Sequence, residues 1–238
     1  MGGIPGPVFA LGLNGERSPG LGPSWRIVRE RAIASTLHAG SARLIEGTPV
    51  RTVRICEPEG SALVLGSHQL SSDFDQDALS ASGLAVARRR SGGSGVLVGD
   101  GRVLWVDFAI PKGDPLWDDD VGRAAWWIGD LWSSAIGPAD VWRGPLIKTA
   151  WSPLVCFAGL GPGEVTINGR KVVGVCQRRT GKGALFQTAA LIDWRPDEYT
   201  SLVAQPPADA GALAAAATGL GASESERVEA ALLDRLVQ

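Results

Sequence analysis

A chain of 238 residues, 45% of them apolar and 20% charged, can bury a sizeable core, and nothing in it reads as a long linker between independent units. Its formal net charge of −2 weighs against bulk attraction to nucleic acid or to an anionic membrane; the basic residues gather instead at Arg88, Arg89 and Arg90 and at Arg178, Arg179 and Lys182, which suits a small anionic ligand better than a polymer. Three cysteines, Cys56, Cys156 and Cys176, odd in number and without CxxC spacing, point to a reducing, cytoplasmic compartment rather than a disulfide framework.

Residues 1–23 are rich in glycine and proline and have neither a basic start nor a long apolar run, so they read as a flexible or extended arm and not as a signal peptide or membrane anchor. The remainder, 24–238, reads as a single domain. A helix is predicted over 25–39, where Trp25, Val28, Ala32 and Ser35 or Thr36 recur at helical spacing, with His38 on its surface or rim. Strands are expected at 50–56, 61–66, 84–89, 95–98 and 102–110, and Ser72 and Asp73 are placed to cap a short helix reaching about residue 82. Asp118, Asp119 and Asp120 open a helix predicted to run to 136, with Val121, Ala125, Ile128 and Trp132 on one stripe; Trp126, Trp127 and Trp132 read as packing. Further strands follow at 154–157, 164–167, 170–178 and 183–193, and helices at 212–218 and 223–237 close the chain. Strand pairs with a few helices predict an α+β fold: a mixed, largely antiparallel sheet with helices packed on it. Phosphate-cradling fingerprints are missing, since Thr180-Gly181-Lys182-Gly183 lacks the upstream glycine and the final hydroxyl.

Two stretches carry chemistry. Asn168-Gly169 is a strong hairpin signal, and in the strand beyond it Lys171, Val173, Val175 and Gln177 alternate with Val172, Gly174, Cys176 and Arg178. Lysine is seldom buried without a partner or a task, although one at a sheet rim can snorkel to water. The second stretch, Arg88-Arg89-Arg90-Ser91-Gly92-Gly93-Ser94-Gly95, is a strand end opening into a glycine-rich loop; backbone N–H groups and guanidiniums there could ring an anion, or the arginines could simply be solvated. Only His38 and His68 could serve as imidazole bases, and with so few clustered His and Cys no metal site is expected.

Together with Ala62-Leu63-Val64-Leu65-Gly66-Ser67-His68-Gln69, these stretches resemble the lipoate-protein ligase A family and its octanoyltransferase relatives: an Arg-Arg-x-Gly-Gly-Gly loop, a Gly-x-Lys-x-x-Gly-x-x-Gln strand and an early Gly-x-x-Gln turn, in that family's order along the chain. The resemblance covers about 50–193. It implies a biotin/lipoate protein ligase-like fold, akin to class II synthetases. Ligases of the family usually have an accessory C-terminal domain or a separate partner polypeptide; here about forty residues follow the motifs, so one catalytic domain with C-terminal helices and no separate accessory domain is expected. The resemblance also implies that Lys171 holds the acyl carbonyl and phosphate oxygens. Arg89, Arg90, Ser91, Gly92, Gly93, Ser94 and Gly95 would hold the adenylate or acyl head, Gly66 and His68 would border the acyl tunnel, and Gly174 and Gln187 would complete the pocket. ATP and Mg, with lipoate or octanoate as the acyl substrate, would be needed by a ligase; the acceptor would be a lysine of a lipoyl domain or a glycine-cleavage carrier protein. Departures are visible at Ser94, Val98, Arg102, Val175 and above all Gln187, which stands where the family has histidine. Val155-Cys156-Phe157 resembles the loop of octanoyltransferases that take the acyl group from acyl carrier protein onto cysteine without ATP. A non-catalytic acyl- or nucleotide-binding homologue is the third expectation.

Overall fold

The computed structural model describes residues 24–99 and 101–237; the arm expected over 1–23 lies outside them. Among the described residues, ten strands form two sheets. The larger contains β1 (Arg26–Ala32), β2 (Thr52–Pro58), β6 (Val103–Pro111), β7 (Asp140–Val141), β8 (Val165–Ile167), β9 (Arg170–Arg179) and β10 (Gly183–Leu191), in the spatial order β1-β2-β6-β10-β9-β8-β7. All its pairings are antiparallel except β1 with β2. The smaller is β4 (Ala85–Arg88), β3 (Ala62–Leu65) and β5 (Val96–Val98), in the order β4-β3-β5. This is the expected α+β arrangement.

The layers follow from which faces are apolar. β6 is buried along nearly its whole length, as a central strand covered on both faces must be. One face of the large sheet, with Val53, Phe108 and Phe186, packs against α3 (Trp126–Ile136) and α6 (Ala222–Val237) through Ile128, Trp132, Val228 and Leu232. The other face, with Trp105 and Leu191, packs on the small sheet through Val64, Val96 and Val98. The far side of the small sheet is covered by α2 (Gln76–Ser82), α4 (Pro196–Leu202) and α5 (Ala210–Ala216), with Leu79, Leu202 and Leu213 inward.

Several expectations are corrected. Residues 26–32 are strand, not helix: their spacing suits either period, and parallel pairing with β2 satisfies the backbone, so α1 (Ala34–Arg43) starts only afterwards. The stretch after Asp118 stays non-helical until a 3₁₀ turn at Arg123–Ala125, because Asp118 and Asp120 accept local backbone N–H bonds and Asp118 pairs with Arg123 at 2.9 Å. The cap of α2 is Asp75, whose carboxylate takes the N–H groups of Asp77 and Ala78, both at 2.9 Å. No strand forms at 154–157; Val155 makes one bridge to Gly95 and the chain turns through Cys156–Ala158. Short β7 and α4 were not anticipated.

α1 is anchored by a buried polar knot. Ser41 Oγ donates to Asp107, Trp105 Nε1 donates to the same carboxylate at 2.7 Å, and Arg54 Nη1 donates to the Leu37 carbonyl and to Ser41 Oγ at 2.6 Å each. Burial raises the Asp107 carboxyl to about 6 against these hydrogen bonds. Docked this way, α1 turns His38 inward.

Candidate active site

The hairpin turn forms as the sequence predicts, with Asn168 at φ 51° and Gly169 at φ 74°. Beyond it the strict alternation fails. Val165 pairs with Val173 but Thr166 with Lys171, so Val172 is an extra residue, a β-bulge. Val172 and Val173 both enter the helix-side core, and Lys171 moves to the face of Gly174 and Cys176 instead of sharing one with Val173 and Val175. A Cβ at Gly174 would sit 3.3 Å from Lys171 Cε and 3.4 Å from the Phe157 ring, so a larger residue would press on the lysine stem.

Lys171 is not a rim residue: it is 3% exposed. Its ammonium reaches Glu164 Oε1 at 2.7 Å and donates to the carbonyls of Cys156 at 2.9 Å and Gly159 at 3.0 Å, which uses all three N–H groups. Glu164 is held in turn by the N–H groups of Val175 at 3.0 Å and Gly161 at 2.7 Å. Burial works against the lysine charge, but Glu164 and the Cys156 sulfur keep its pKa above the ordinary value. Burial likewise raises the Glu164 carboxyl, with Lys171 opposing it.

The arginines of the glycine-rich loop part company. Arg89, 4% exposed, is committed to backbone carbonyls, donating to Gly92 at 3.0 Å and Ser94 at 2.9 Å in the loop and to Val64 of β3 at 3.3 Å. Arg88 binds the carbonyls of Gly66 and Gln69. Arg90 points outward to Glu46 at 3.2 Å. Ser91 Oγ donates to Gln187 Oε1 at 2.7 Å, Ser94 Oγ to the Ser152 carbonyl at 2.6 Å, and the N–H of Gly95 to the Leu154 carbonyl at 2.9 Å. Gly66 and Gly93 cross so closely that a Cβ on Gly66 would fall 1.7 Å from the Gly93 oxygen.

This crossing brings two sulfurs together. A Cβ on Gly93, itself at φ 89°, would lie 3.3 Å from Cys176 Sγ and 3.4 Å from Cys156 Sγ. The Cys176 side chain and the Ser94 backbone lie against the Cys156 sulfur, and the Lys171 and Arg89 charges face it. Led by the Cys176 contact, these interactions outweigh burial and hold the Cys156 thiol well below the ordinary thiol range. The same contact, together with burial, pushes Cys176 well above the range.

Both half-buried cysteines face a cavity of about 850 Å³, whose wall includes Gly93, Ser94, Glu164 and Lys171 and whose mouth carries exposed His68, Leu70 and Leu146. Behind them lies an apolar hollow of about 40 Å³ walled by Val98, Trp105 and Phe157. His38 closes that hollow and is buried, contrary to the surface position expected of it. Because Gln187 Oε1 accepts from Ser91, its amide nitrogen donates to His38 Nδ1 at 3.0 Å, which leaves the proton on Nε2. Burial, then Arg89 and Arg54, lower the His38 pKa to about 3, so the ring is neutral. Sequence reasoning missed Glu164 as the lysine's partner, and missed that an imidazole returns from α1 to stand against Gln187. Among the described residues no three His, Cys, Asp or Glu side chains converge as ligands of one metal ion, and no helix is long and apolar enough to cross a membrane.

No curated protein matches the chain by sequence. Solved structures do match by shape. The bi-partite lipoate protein ligase of Thermoplasma acidophilum, described with its E2 lipoyl domain, is 15% identical with a TM-score of 0.68, covering 90% of this chain and 82% of that one. A T. acidophilum lipoate protein ligase structure holding lipoic acid gives 13%, 0.64, 90% and 84%, and lipoate-protein ligase A bound with ATP gives 13%, 0.60, 90% and 83%. At these identities the likeness establishes the fold. The family model of the lipoyl protein ligase A/B catalytic domain matches residues 37–220, a span that includes the glycine-rich loop, both site cysteines and Lys171. The chain therefore belongs to the lipoyl protein ligase A/B catalytic-domain family and is an enzyme of the lipoate pathway.

Proposed function

We propose that this protein transfers an octanoyl or lipoyl group to a lysine of a small carrier domain through a thioester on Cys156, without ATP. The observation that carries the reading is the setting of the Cys156 sulfur: in the cavity wall over Gly93, beside the Cys176 sulfur, and faced by Lys171 and Arg89. A thiolate so held attacks the carbonyl of an acyl-carrier thioester and the carrier thiolate leaves; a deprotonated acceptor lysine then attacks the enzyme thioester, the C–S bond breaks, one amine proton passes to water, and the amide forms as Cys156 returns as thiolate. Lys171, within reach of the same space, would stabilise the oxyanion of each tetrahedral intermediate.

A second reading, ligation through an acyl-adenylate, is favoured by the size of the cavity, which falls within the roughly 300–1,000 Å³ of small-molecule sites. It requires Lys171 to leave Glu164 for the phosphate. Magnesium on that route would ride on the nucleotide phosphates, with Asp73 the acid on the cavity wall not already in an ion pair with Lys171. Arg89, residues 91–95, Gly66, His68, Gly174 and Gln187 serve either reading as the pocket's frame, whereas Arg90, expected to hold the adenylate or acyl head, is turned outward to Glu46 and takes no part.

One assay separates them: octanoyl-carrier protein, or lipoate with ATP and Mg, is offered with a lipoyl-domain acceptor. Transfer from the octanoyl carrier without ATP, a hydroxylamine-labile adduct on Cys156 and loss of both in Cys156→Ala are expected. ATP-dependent transfer that survives Cys156→Ala would establish the ligase, and a ligand bound without transfer in either format would leave a binding homologue.

A further inference from the structure

Cys176 forms no bond to the acyl group in the transfer just described and acts there only through its contact with Cys156, yet it lines both cavities and its sulfur stands over Gly93 beside that of Cys156. Two thiols, one activated and the other next to it, both reachable from an open cavity, form the arrangement that oxidants convert to a disulfide. The third cysteine, Cys56, is buried elsewhere, in the core near Asp107.

We infer that Cys156 and Cys176 form an oxidative modification site, in which a hydroperoxide small enough to enter the cavity joins the two sulfurs and closes the protein to acyl groups. The Cys156 thiolate attacks one peroxide oxygen, the O–O bond breaks, and hydroxide leaves, or an alkoxide from an organic peroxide, giving the sulfenic acid. The Cys176 thiol then attacks that sulfur as its own proton leaves, the S–O bond breaks and water departs. The two sulfurs together give up two electrons and the peroxide takes them. Arg89 tolerates the loss of the thiolate, because its guanidinium stays bonded to three backbone carbonyls. Cys176 thereby protects the nucleophile: without it the sulfenic acid has no neighbouring thiol and proceeds to the irreversible sulfinic acid.

The consequence for transfer rests on the thioester reading; formation of the bond does not. The full-length protein is therefore treated with hydrogen peroxide in the absence of any acyl donor and examined by intact mass and by peptide mapping without reductant. Expected are the loss of two hydrogens, a linked peptide pair containing Cys156 and Cys176, and its reversal by dithiothreitol. In Cys176→Ser the mass should instead rise by successive oxygens on Cys156 and resist dithiothreitol, while in Cys156→Ser the Cys176 thiol should stay reduced at the same dose. An unlinked wild-type protein, a linkage through Cys56, or the same reversible product from both variants would overturn the inference. If the linked pair forms but octanoyl transfer is absent before oxidation as well, the transfer reading fails and the modification site stands.

Discussion

At the scale of single residues, the site is governed by charges held out of water in close pairs. The Cys176 contact, Ser94 and the Lys171 and Arg89 charges favour the thiolate of Cys156, so iodoacetamide should label it ahead of Cys176 and Cys56. Its labelling rate should stay nearly level as the pH falls from about 8.5 towards 7, where an ordinary thiol loses most of its reactivity. Lys171→Met, which removes a facing cation, should shift that profile to higher pH. Glu164→Gln tests the other pair. It keeps one acceptor oxygen where the carboxylate offered two, so either the Val175 or the Gly161 N–H loses its partner, and it removes the nearest counter-charge of the buried lysine, a loss of about 3–5 kcal/mol measurable by urea unfolding. The pH dependence should weaken. The raised native pKa of Lys171 gives stability that is complete at neutral pH and disappears as the pH rises past the lysine range. In the variant the Cys156 sulfur is the main counter-charge left to Lys171, so the lysine pKa should fall from its wild-type position and less stability should be lost as the pH rises through that range.

At the scale of elements, the site depends on two backbone irregularities, the bulge in β9 and the crossing of Gly66 under Gly93. Gly66→Ala puts a methyl group into the Gly93 carbonyl, and an overpacked contact of this kind costs about 1–3 kcal/mol. The loop must shift to admit it, carrying the Ser94 N–H away from Cys156, so the variant should lose both midpoint denaturant concentration and the reactivity of Cys156 below the ordinary thiol range. These irregularities mark the limit of what the sequence disclosed. The hairpin at Asn168-Gly169, the runs of β6 and β10 and the loop between β4 and β5 were legible because local chemistry decides them: a dipeptide that accepts positive φ, apolar runs of strand length, a cluster of glycines. Other features are decided by distant partners. The extra residue at Val172 is a register shift against β8; Glu164 meets Lys171 only across that pairing; His38 is buried because Ser41 and Arg54 dock α1 on Asp107; and 26–32 is strand because β2 is beside it. A chain read alone offers no signal for which of two permitted neighbours will be present.

At the scale of the molecule, the large sheet separates two kinds of labour. The face towards α3 and α6 is apolar packing, whereas the face towards the small sheet holds the hollow and the reactive groups. Leu232→Ala, in the fully buried contact of α6 with that core, should lower stability by about 2–5 kcal/mol in a urea titration. It should leave the pH profile of Cys156 labelling unchanged, since the sheet stands between. A change in that profile would mean that packing strain crosses the sheet.

Arg89, Lys171, Glu164 and the Cys156 thiolate add up to electrical neutrality, although the whole chain carries a formal −2. Acylation of Cys156 on the thioester route removes one anion and leaves this quartet with an excess positive charge. An incoming lysine can attack only as the free amine, and a cationic surrounding favours that form over the ammonium. The acyl-enzyme would thus deprotonate its own acceptor by field alone, at a moment when the unacylated enzyme exerts no such pull. Single-turnover deacylation by a lipoyl domain should accordingly depend on a group titrating below the ordinary lysine value of about 10.4, and a profile that follows the free domain's lysine would remove this role for the charge imbalance.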